Sequence, residues 1–577
     1  MKQTLKYESE QPNSLYDPNG SFQSINRRYD IVYGDVMLNF NYNINRFDIA
    51  ATVGWTGRYE NMNNMRVSTN GGLVTENWFD LNASRYTPSS TLQRMELLKT
   101  GYMGTLSLGW DNYLFLELTG RQERSSTLKD QSFFYPSTNL SFLFTQAFHM
   151  PSWWNYGKLR LSYGIVGNAP ETYTANIVYE QGSDNGFTWN TIPSSWGNAD
   201  IRPEKKYEYE IGLESKFLNN RLGIDISYYN NRVKDQILST PQPSTSGVKN
   251  VLMNVGEVAN HGWDISISAT PILTRDFRWD LTANYGVYKN KVVKLADGVP
   301  YLEILNSGGS GIKIQAVEGQ PMGDIYALVP QVNENGEYLV SDKGLYLNQT
   351  ELQKVGNINP AGVGGLFNSF SYKNVFLDFS IDFRIGGDVI NEMNQYATAV
   401  GLTPESLKYR DTEHGGLSYY YPGDNNSSGI PVQVDPSTGA GPNGEIIYHD
   451  GIILPGVVAS TGERNTRIIP AGYYYNTTYN WGTEAEQLTY RHSVFDNSYV
   501  KLRELTIGYQ FPEKMISKLG LGRLSVSVFG RNLFYFYKAL KNYDAESSVG
   551  TSWANQATVG SSTTATRSFG VSLRASF

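Results

Sequence analysis

Along most of the chain, runs of about ten residues alternate apolar or aromatic positions with polar ones, and clusters of Asn, Gly and Asp separate the runs. In KYEYEIGLESKF, Tyr207, Tyr209, Ile211 and Leu213 alternate with Glu208, Glu210, Gly212 and Glu214. One face is therefore aromatic and aliphatic, the other acidic. RLGIDISYYNNR repeats the pattern after only Leu218 to Asn220, which reads as a hairpin with a short turn. In RRYDIVYGDVMLNFNYNI the face holding Val32, Gly34, Val36 and Leu38 is the apolar one, and Ile31, Tyr33, Asp35 and Met37 fall opposite. Helical periodicity is nearly absent.

Counted conservatively, about 15–16 such segments are present. Their spacers fall into two classes: short turns such as Lys373 and Asn374, and long stretches rich in Gly, Pro, Asn, Ser and Tyr at 171–203, 235–258, 289–362, 388–496 and 538–565. Loops this long fit poorly into a compact soluble domain. Short turns at one end and long loops at the other are the habit of outer-membrane barrels. In hydrocarbon every backbone N–H and C=O must be paired internally, so a spanning sheet must close and its strands must alternate lipid-facing with water-facing side chains. The predicted fold class is all-β, a transmembrane antiparallel β-barrel. Trp110, Tyr113, Trp153, Trp154, Trp263 and Trp279 lie near segment ends, where an interfacial aromatic girdle would place them. A soluble sandwich or propeller also alternates, but no self-similar period of about 40–50 residues supports a propeller.

Composition sharpens this reading. The 577 residues carry a formal charge of -7, include no cysteine, and are 18% charged and 13% aromatic. A near-neutral, slightly acidic chain is a poor polyanion ligand, so no nucleic-acid partner is expected. Zero Cys removes disulfides, thiol nucleophiles, Fe–S clusters and cysteine-ligated zinc. No apolar stretch of about 18 residues supplies a transmembrane helix. The first residues, MKQTLKYESEQPNSLYDPNG, show no apolar signal region, which leaves a cytoplasmic protein or part of a longer chain.

Templates for chemistry are sparse, and neither a catalytic residue nor a metal site nor a cofactor is expected. The five histidines, His149, His261, His414, His449 and His492, form no H-x-x-x-H or H-E-x-x-H pair. G-x-S-x-G and the P-loop are absent. One G-x-G-x-x-G, at Gly439, Gly441 and Gly444, sits in a Pro-rich loop without the following helix that would hold pyrophosphate. Asp378 and Asp382 share a strand face but are ~13 Å apart by strand rise, too far to flank one scissile bond. They read as water-facing carboxylates of a barrel wall. Trp189, Trp196, Tyr419, Tyr420 and Tyr421 lie in long loops, where aromatic rings either stack on sugar rings or peptide side chains or pack the loop itself.

The order of several stretches resembles the SusC/RagA family of TonB-dependent outer-membrane transporters of Bacteroidetes. RLSYGIVGNA, the long hairpin from Asn198 to Leu238, NVGEVANHGWDISISATP, EGQPMGDIYAL, GNINPAGVGGLFNSFSYK, FDNSYVKLRELTIGYQFP and FGRNLF follow one another in that family's order. The resemblance covers residues 121–577, and residues 1–120 read as further barrel strands. It implies a 22-stranded barrel that imports glycan oligomers or peptides, with a SusD-like surface lipoprotein and TonB as partners. It also implies that Phe577, after alternating Phe569, Val571, Leu573 and Ala575, is the terminal aromatic read by barrel-insertion machinery. Plug, signal peptide and TonB-contacting segment are not identifiable, and about six of the 22 strands are unaccounted for. The expectation is thus the C-terminal barrel portion of such a transporter over 1–577. A passive porin and a soluble β-rich carbohydrate-active protein remain the alternatives.

Overall fold

The computed structural model describes residues 2–9, 19–129, 132–184, 186–307, 311–423, 429–479, 490–548, 550, 552–559 and 565–576. Phe577, which carries the barrel-insertion expectation, lies outside them. Among the described residues sixteen strands belong to the main sheet and follow chain order in it. The first seven are β1 Lys2–Ser9, β2 Ser21–Ile44, β3 Phe47–Leu73, β4 Ser84–Trp110, β5 Leu114–Ser125, β6 Ser132–Phe142 and β7 Trp154–Asn168. Next come β8 Glu204–Phe217, β9 Leu222–Lys234, β10 Glu257–Leu273 and β11 Phe277–Lys294. The last five are β12 Gly362–Tyr372, β13 Val375–Ile385, β14 Tyr499–Gln510, β15 Arg523–Lys538 and β16 Ser568–Ser576. The chain divides into two compact units, and residues of β8, β9 and β10 belong to both.

In the first unit, β1 to β7 form an antiparallel ladder whose pairing is unbroken from Gln23↔Ser68 to Ile44↔Phe47 between β2 and β3. The short turns are built by residues that tolerate left-handed backbone: Asn45 closes β2 to β3 at φ 51, and Asp111 and Asn112 close β4 to β5 at φ 52 and 60. Strand alternation then sorts the side chains. Val32, Val36, Leu38, Phe40 and Tyr42 are 59–65% exposed on one face of β2, while Asn39, Asn41 and Asn43 stand on the other. The apolar face continues across the ladder through Val53, Tyr102, Leu118 and Phe134. Burying one large apolar side chain is worth about 1.5–3 kcal/mol, so so many in one exposed sheet face fit hydrocarbon and not water.

Beside the short turns the aromatic rings gather. Trp110 lies 5.2 Å from Tyr113, Tyr113 lies 6.1 Å from Phe142, and Phe144 meets Trp154 edge to face at 5.2 Å. Trp153 stacks on Trp154 at 6.0 Å. These rings gather at one end of the strands, where an interfacial girdle would place them.

One expectation needs correction. β2, β3 and β4 contain 24, 27 and 27 residues, well beyond the ~9–11 needed to cross a bilayer. Beyond the apolar stretch the pairs Arg28↔Asn63, Arg27↔Asn64, Asn63↔Arg94 and Asn64↔Gln93 put polar groups on both faces. A strand that is polar on both faces carries no alternating signal, so the sequence showed only the membrane-crossing part.

In the second unit, β11, β12, β13, β14, β15 and β16 pair in that order. Lys373 at φ 51 closes the two-residue turn from β12 to β13. Near it Trp279 stacks on Phe370 at 5.5 Å, Phe370 lies 6.0 Å from Phe379, and the Trp279 indole N–H donates to Asn368. The long spacers 295–361, 386–498 and 539–567 fall where sequence placed them, but they are not plain linkers. Ile312, Ile314, Ile325, Ala327, Ile358, Ile390, Val494, Ala554 and Ala557, drawn from all three, form one buried cluster. The apolar contacts these loops share offset the conformational entropy each loses on ordering.

An Arg at Leu38, on the apolar face of β2, is expected to lower the stability of the protein in lipid vesicles by about 2–4 kcal/mol, against under ~1 kcal/mol for Asn41→Arg on the polar face. Denaturant titration of both variants in vesicles checks this, and equal costs contradict the assignment of faces.

Candidate functional site

The polar face of the first unit carries linked side chains. Arg121 pairs with Glu123 at 2.8 Å, donates to the Tyr135 hydroxyl at 3.0 Å and reaches Thr56 at 3.0 Å. Arg160 lies 3.5 Å from Glu214. A cleft of about 870 Å³ opens on the same wall near the short turns, with Asn41, Asn43, Asp48, Glu117, Asn139 and Arg160 along it. Such a wall suits water or a polar protein segment, and no lipid could lie against it.

In the second unit a loop is bound to the wall by charge. At Arg503 the pairing slips on both sides, between Ser380 and Ile381 of β13 and opposite Asn532 of β15, where Asn532 adopts φ 53. A bulge re-aims a side chain. The Arg503 guanidinium donates to Asp382 at 2.5 Å, to Asn532 at 2.9 Å, and to both oxygens of Glu546 at 2.5 and 2.8 Å. Lys501, 2% exposed, adds its ammonium to Glu546 at 2.7 Å and lies over the Tyr535 ring at 4.8 Å. Asn497 donates to the Ala545 carbonyl at 2.8 Å. Glu546 belongs to loop 539–567, so one carboxylate with two cations latches that loop to β14. Asp382 is thus a wall carboxylate, as its spacing from Asp378 implied, and Asp378 accepts from the Ser369 hydroxyl at 2.6 Å.

The loop aromatics divide. Trp189 is 46% exposed and lies across its hairpin partner Gly182, where a Cβ would meet the indole at 2.6 Å. Trp196 is half-buried, edge to face with Tyr179 at 5.8 Å. Tyr419 and Tyr421 are buried, packed with Ile468 and stacked or edge to face with Tyr448. The Tyr419 hydroxyl donates to Asp450 at 3.1 Å. These two rings take the loop-packing role, and Tyr420, half-buried, pairs with Val432. Sequence could not separate an exposed tyrosine from a core one, because both carry the same polar edge. The stretch with Gly439, Gly441 and Gly444 is closed by its own carboxylate: Glu445 accepts from the Asn443 and Gly423 N–H groups at 2.8 and 3.2 Å.

Comparison with known proteins now becomes decisive. Residues 2–325 match the model of the family described as TonB dependent receptor-like, beta-barrel. The chain belongs to that family. TonB-dependent receptor P3 of Formosa agariphila is 24% identical over 492 residues, covering 78% of this chain and 42% of that protein. TonB-dependent receptor SusC of Bacteroides thetaiotaomicron is 30% identical over 247 residues, covering 39% of this chain and 24% of that one. The structure of the RagAB peptide transporter aligns with a TM-score of 0.68 at 18% identity, covering 94% of this chain and 56% of that one. The fold is therefore that of TonB-dependent receptor barrels, and the chain spans less than half the length of these two curated relatives.

Two sets of loop groups titrate in different windows. Burial alone would raise the Glu546 carboxyl, but Arg503 and Lys501 hold it down to about 2. The backbone N–H of Asn443 leads the donors that hold Glu445 at about 2. Burial, then the Arg491 charge, lowers His492 to about 4, and its ring stacks on Tyr479 at 4.6 Å. Folding favours neutral His492, so its contribution is complete above the unfolded value near 6.5 and is lost as pH falls from there toward 4, by at most roughly 3 kcal/mol. The carboxylates lose theirs only below about pH 4.5.

For this receptor barrel, protease susceptibility of loop 386–498 is expected to rise between pH 6.5 and 4 in the wild type and to stay flat in that window in His492→Gln. Replacing Glu546 by Ala removes the carboxylate that Lys501 and Arg503 share, leaving Arg503 with Asp382 and Lys501 with Asp544 4.0 Å away, and is expected to cost roughly 1–3 kcal/mol, the lower part because Glu546 is partly exposed. Limited proteolysis should then cut within loop 539–567; unchanged cleavage contradicts the latch.

Proposed function

We propose that this chain is the barrel portion of a SusC-type outer-membrane importer. In this reading the strands cross the outer membrane, the loop layer faces the outside, and the polar wall lines the path of the cargo. Cargo is a glycan oligomer or a peptide, captured together with a SusD-like surface lipoprotein and drawn inward with energy from TonB. The chain supplies binding and passage, with no catalytic group. The observation that carries the reading is family membership combined with an apolar outer ladder and a polar wall on the same strands. Relatives named as TonB-dependent receptors, among them SusC, and a fold shared with the RagAB peptide transporter support it. Trp189, Trp196 and Tyr420 are proposed loop contacts to cargo or lid. Phe577 is proposed as the terminal residue read during barrel insertion.

The test is uptake by cells that carry the gene and by a deletion strain, using labelled peptides and oligosaccharides with and without a protonophore. Loss of uptake on deletion and on protonophore treatment, with the protein retained in carbonate-washed outer membranes beside a co-purifying lipoprotein, is expected. Uptake that persists in protonophore makes the chain a passive porin. Release by carbonate contradicts the membrane assignment altogether.

A further inference from the structure

Among the described residues, the extension of β4 beyond the membrane has a strand neighbour on one side only. β5 pairs with β4 from Lys99 onward, so residues 84–98 keep β3 alone. Backbone groups of the even-numbered residues point away from β3. The Leu98 carbonyl accepts from the Ser126 N–H at 2.9 Å, the Leu98 N–H donates to the Ser126 hydroxyl at 3.0 Å, and the Glu96 N–H donates to the Tyr173 hydroxyl at 3.0 Å. Arg94, Leu92 and Ser90 follow with no partner strand on that side among the described residues. Pro88 ends the stretch, because it has no N–H to offer. Such an edge is a template for one more strand.

The contact at Glu96 brings the start of loop 171–203 to the inner end of this edge. Tyr173 holds φ 65 there, and Ala175 packs against the buried cluster of Leu128, Phe133 and Ile201. A Cβ on Gly197 would collide with the Asn176 carbonyl, so the chain is seated as far as Asn176. Beyond it, Ile177, Val178 and Tyr179 are each more than half exposed. Glu180–Asp184 and Phe187–Thr191 then form a separate two-stranded hairpin on which Phe187 is 78% exposed. A hairpin of two strands is marginal in water unless something covers it. Charge matches it to the edge: residues 171–200 hold four acids, Glu171, Glu180, Asp184 and Asp200, and no Lys or Arg. In contrast, residues 21–30, 61–73 and 84–96 of the sheet extension hold five arginines against Asp30 and Glu96, a net +3 in a chain of net -7.

We propose that residues 177–180 with their hairpin form a strap that closes by adding a strand to the open edge of β4. Outward from the Tyr173 contact the loop numbers rise and the β4 numbers fall, so the added strand is antiparallel. Equal steps from Tyr173 and Glu96 set Ile177 opposite Leu92 and Tyr179 opposite Ser90. Ile177 then covers Leu92 and its β3 partner Met65, both exposed, and Glu180 falls on the face that carries Arg66. Closing gives up the edge-to-face contact of Tyr179 with Trp196 at 5.8 Å. It also carries Trp189 to the sheet extension, so the strap governs whether that ring is presented to solvent.

Paired cysteines in the full chain, which has none of its own, test the strap in outer-membrane vesicles. Ile177→Cys with Leu92→Cys puts both sulfurs on one face of the closed ladder, within disulfide reach, whereas Ile177→Cys with Gln93→Cys puts them on opposite faces. All three positions are exposed, so neither pair disturbs packed side chains. Under mild oxidation the Leu92 pair is expected to form an intramolecular cross-link at least tenfold faster than the Gln93 pair. Arg66→Glu with Arg94→Glu, also exposed, should slow it at least threefold. Equal rates for the two pairs, no cross-link in either, or a rate unmoved by the charge reversal overturns the strap.

Discussion

The constraint on which the rest depends is that hydrocarbon offers no partner to a backbone N–H or C=O. A chain that crosses it as strands must pair every strand with a neighbour, and that requirement fixes the chain-ordered antiparallel ladders and their short turns. Once pairing is fixed, the period of two decides everything about side chains: Leu38 and Phe40 meet lipid because Asn39 and Asn41 meet water. The same period makes the polar wall available for function without any further device. The low share of charged residues in the composition follows from the same cause, because half of each crossing strand can carry none.

Function then concentrates where the constraint ends. Beyond the membrane the strands no longer need an apolar face, and β2, β3 and β4 continue as a sheet that is largely polar on both sides, with Met65 and Leu92 as an exposed apolar pair. The loops of the second unit build their own apolar core from Ile312, Ile314, Ile325 and their neighbours, and Glu546 fastens one of them to Arg503 and Lys501. A layer held in this way can present clefts of fixed shape, and preorganised sites bind with less entropy lost. The bulge at Arg503 shows how a regular strand yields a directed cation without breaking the ladder.

The barrel strands were legible because alternation is a local signal: Tyr209, Ile211 and Leu213 are exposed on one face of β8 as their spacing implied. The turns were legible from Asn, Asp and short spacing. Much of the loop layer was not. Its core is assembled from segments such as Ile312–Val317 and Asp388–Ile390, short alternating runs set far apart in sequence, and nothing local states that they meet. Tyr419 and Tyr421 carried the same ambiguity, since a tyrosine in a polar loop has a hydroxyl that Asp450 can satisfy inside as readily as water can outside. Glu546 was invisible for the same reason: only the fold brings it to Arg503.

The central claim is that one face of each strand meets lipid and the other water, and the absence of native cysteine makes it directly measurable. Single cysteines placed in turn from Val32 to Tyr42, labelled with a fluorophore in vesicles, can be quenched from the lipid phase or from water. The account predicts lipid-phase quenching at Val32, Val36, Leu38, Phe40 and Tyr42, and aqueous quenching at Tyr33, Asp35, Met37, Asn39 and Asn41. Uniform aqueous quenching along the strand, with no period of two, would contradict it.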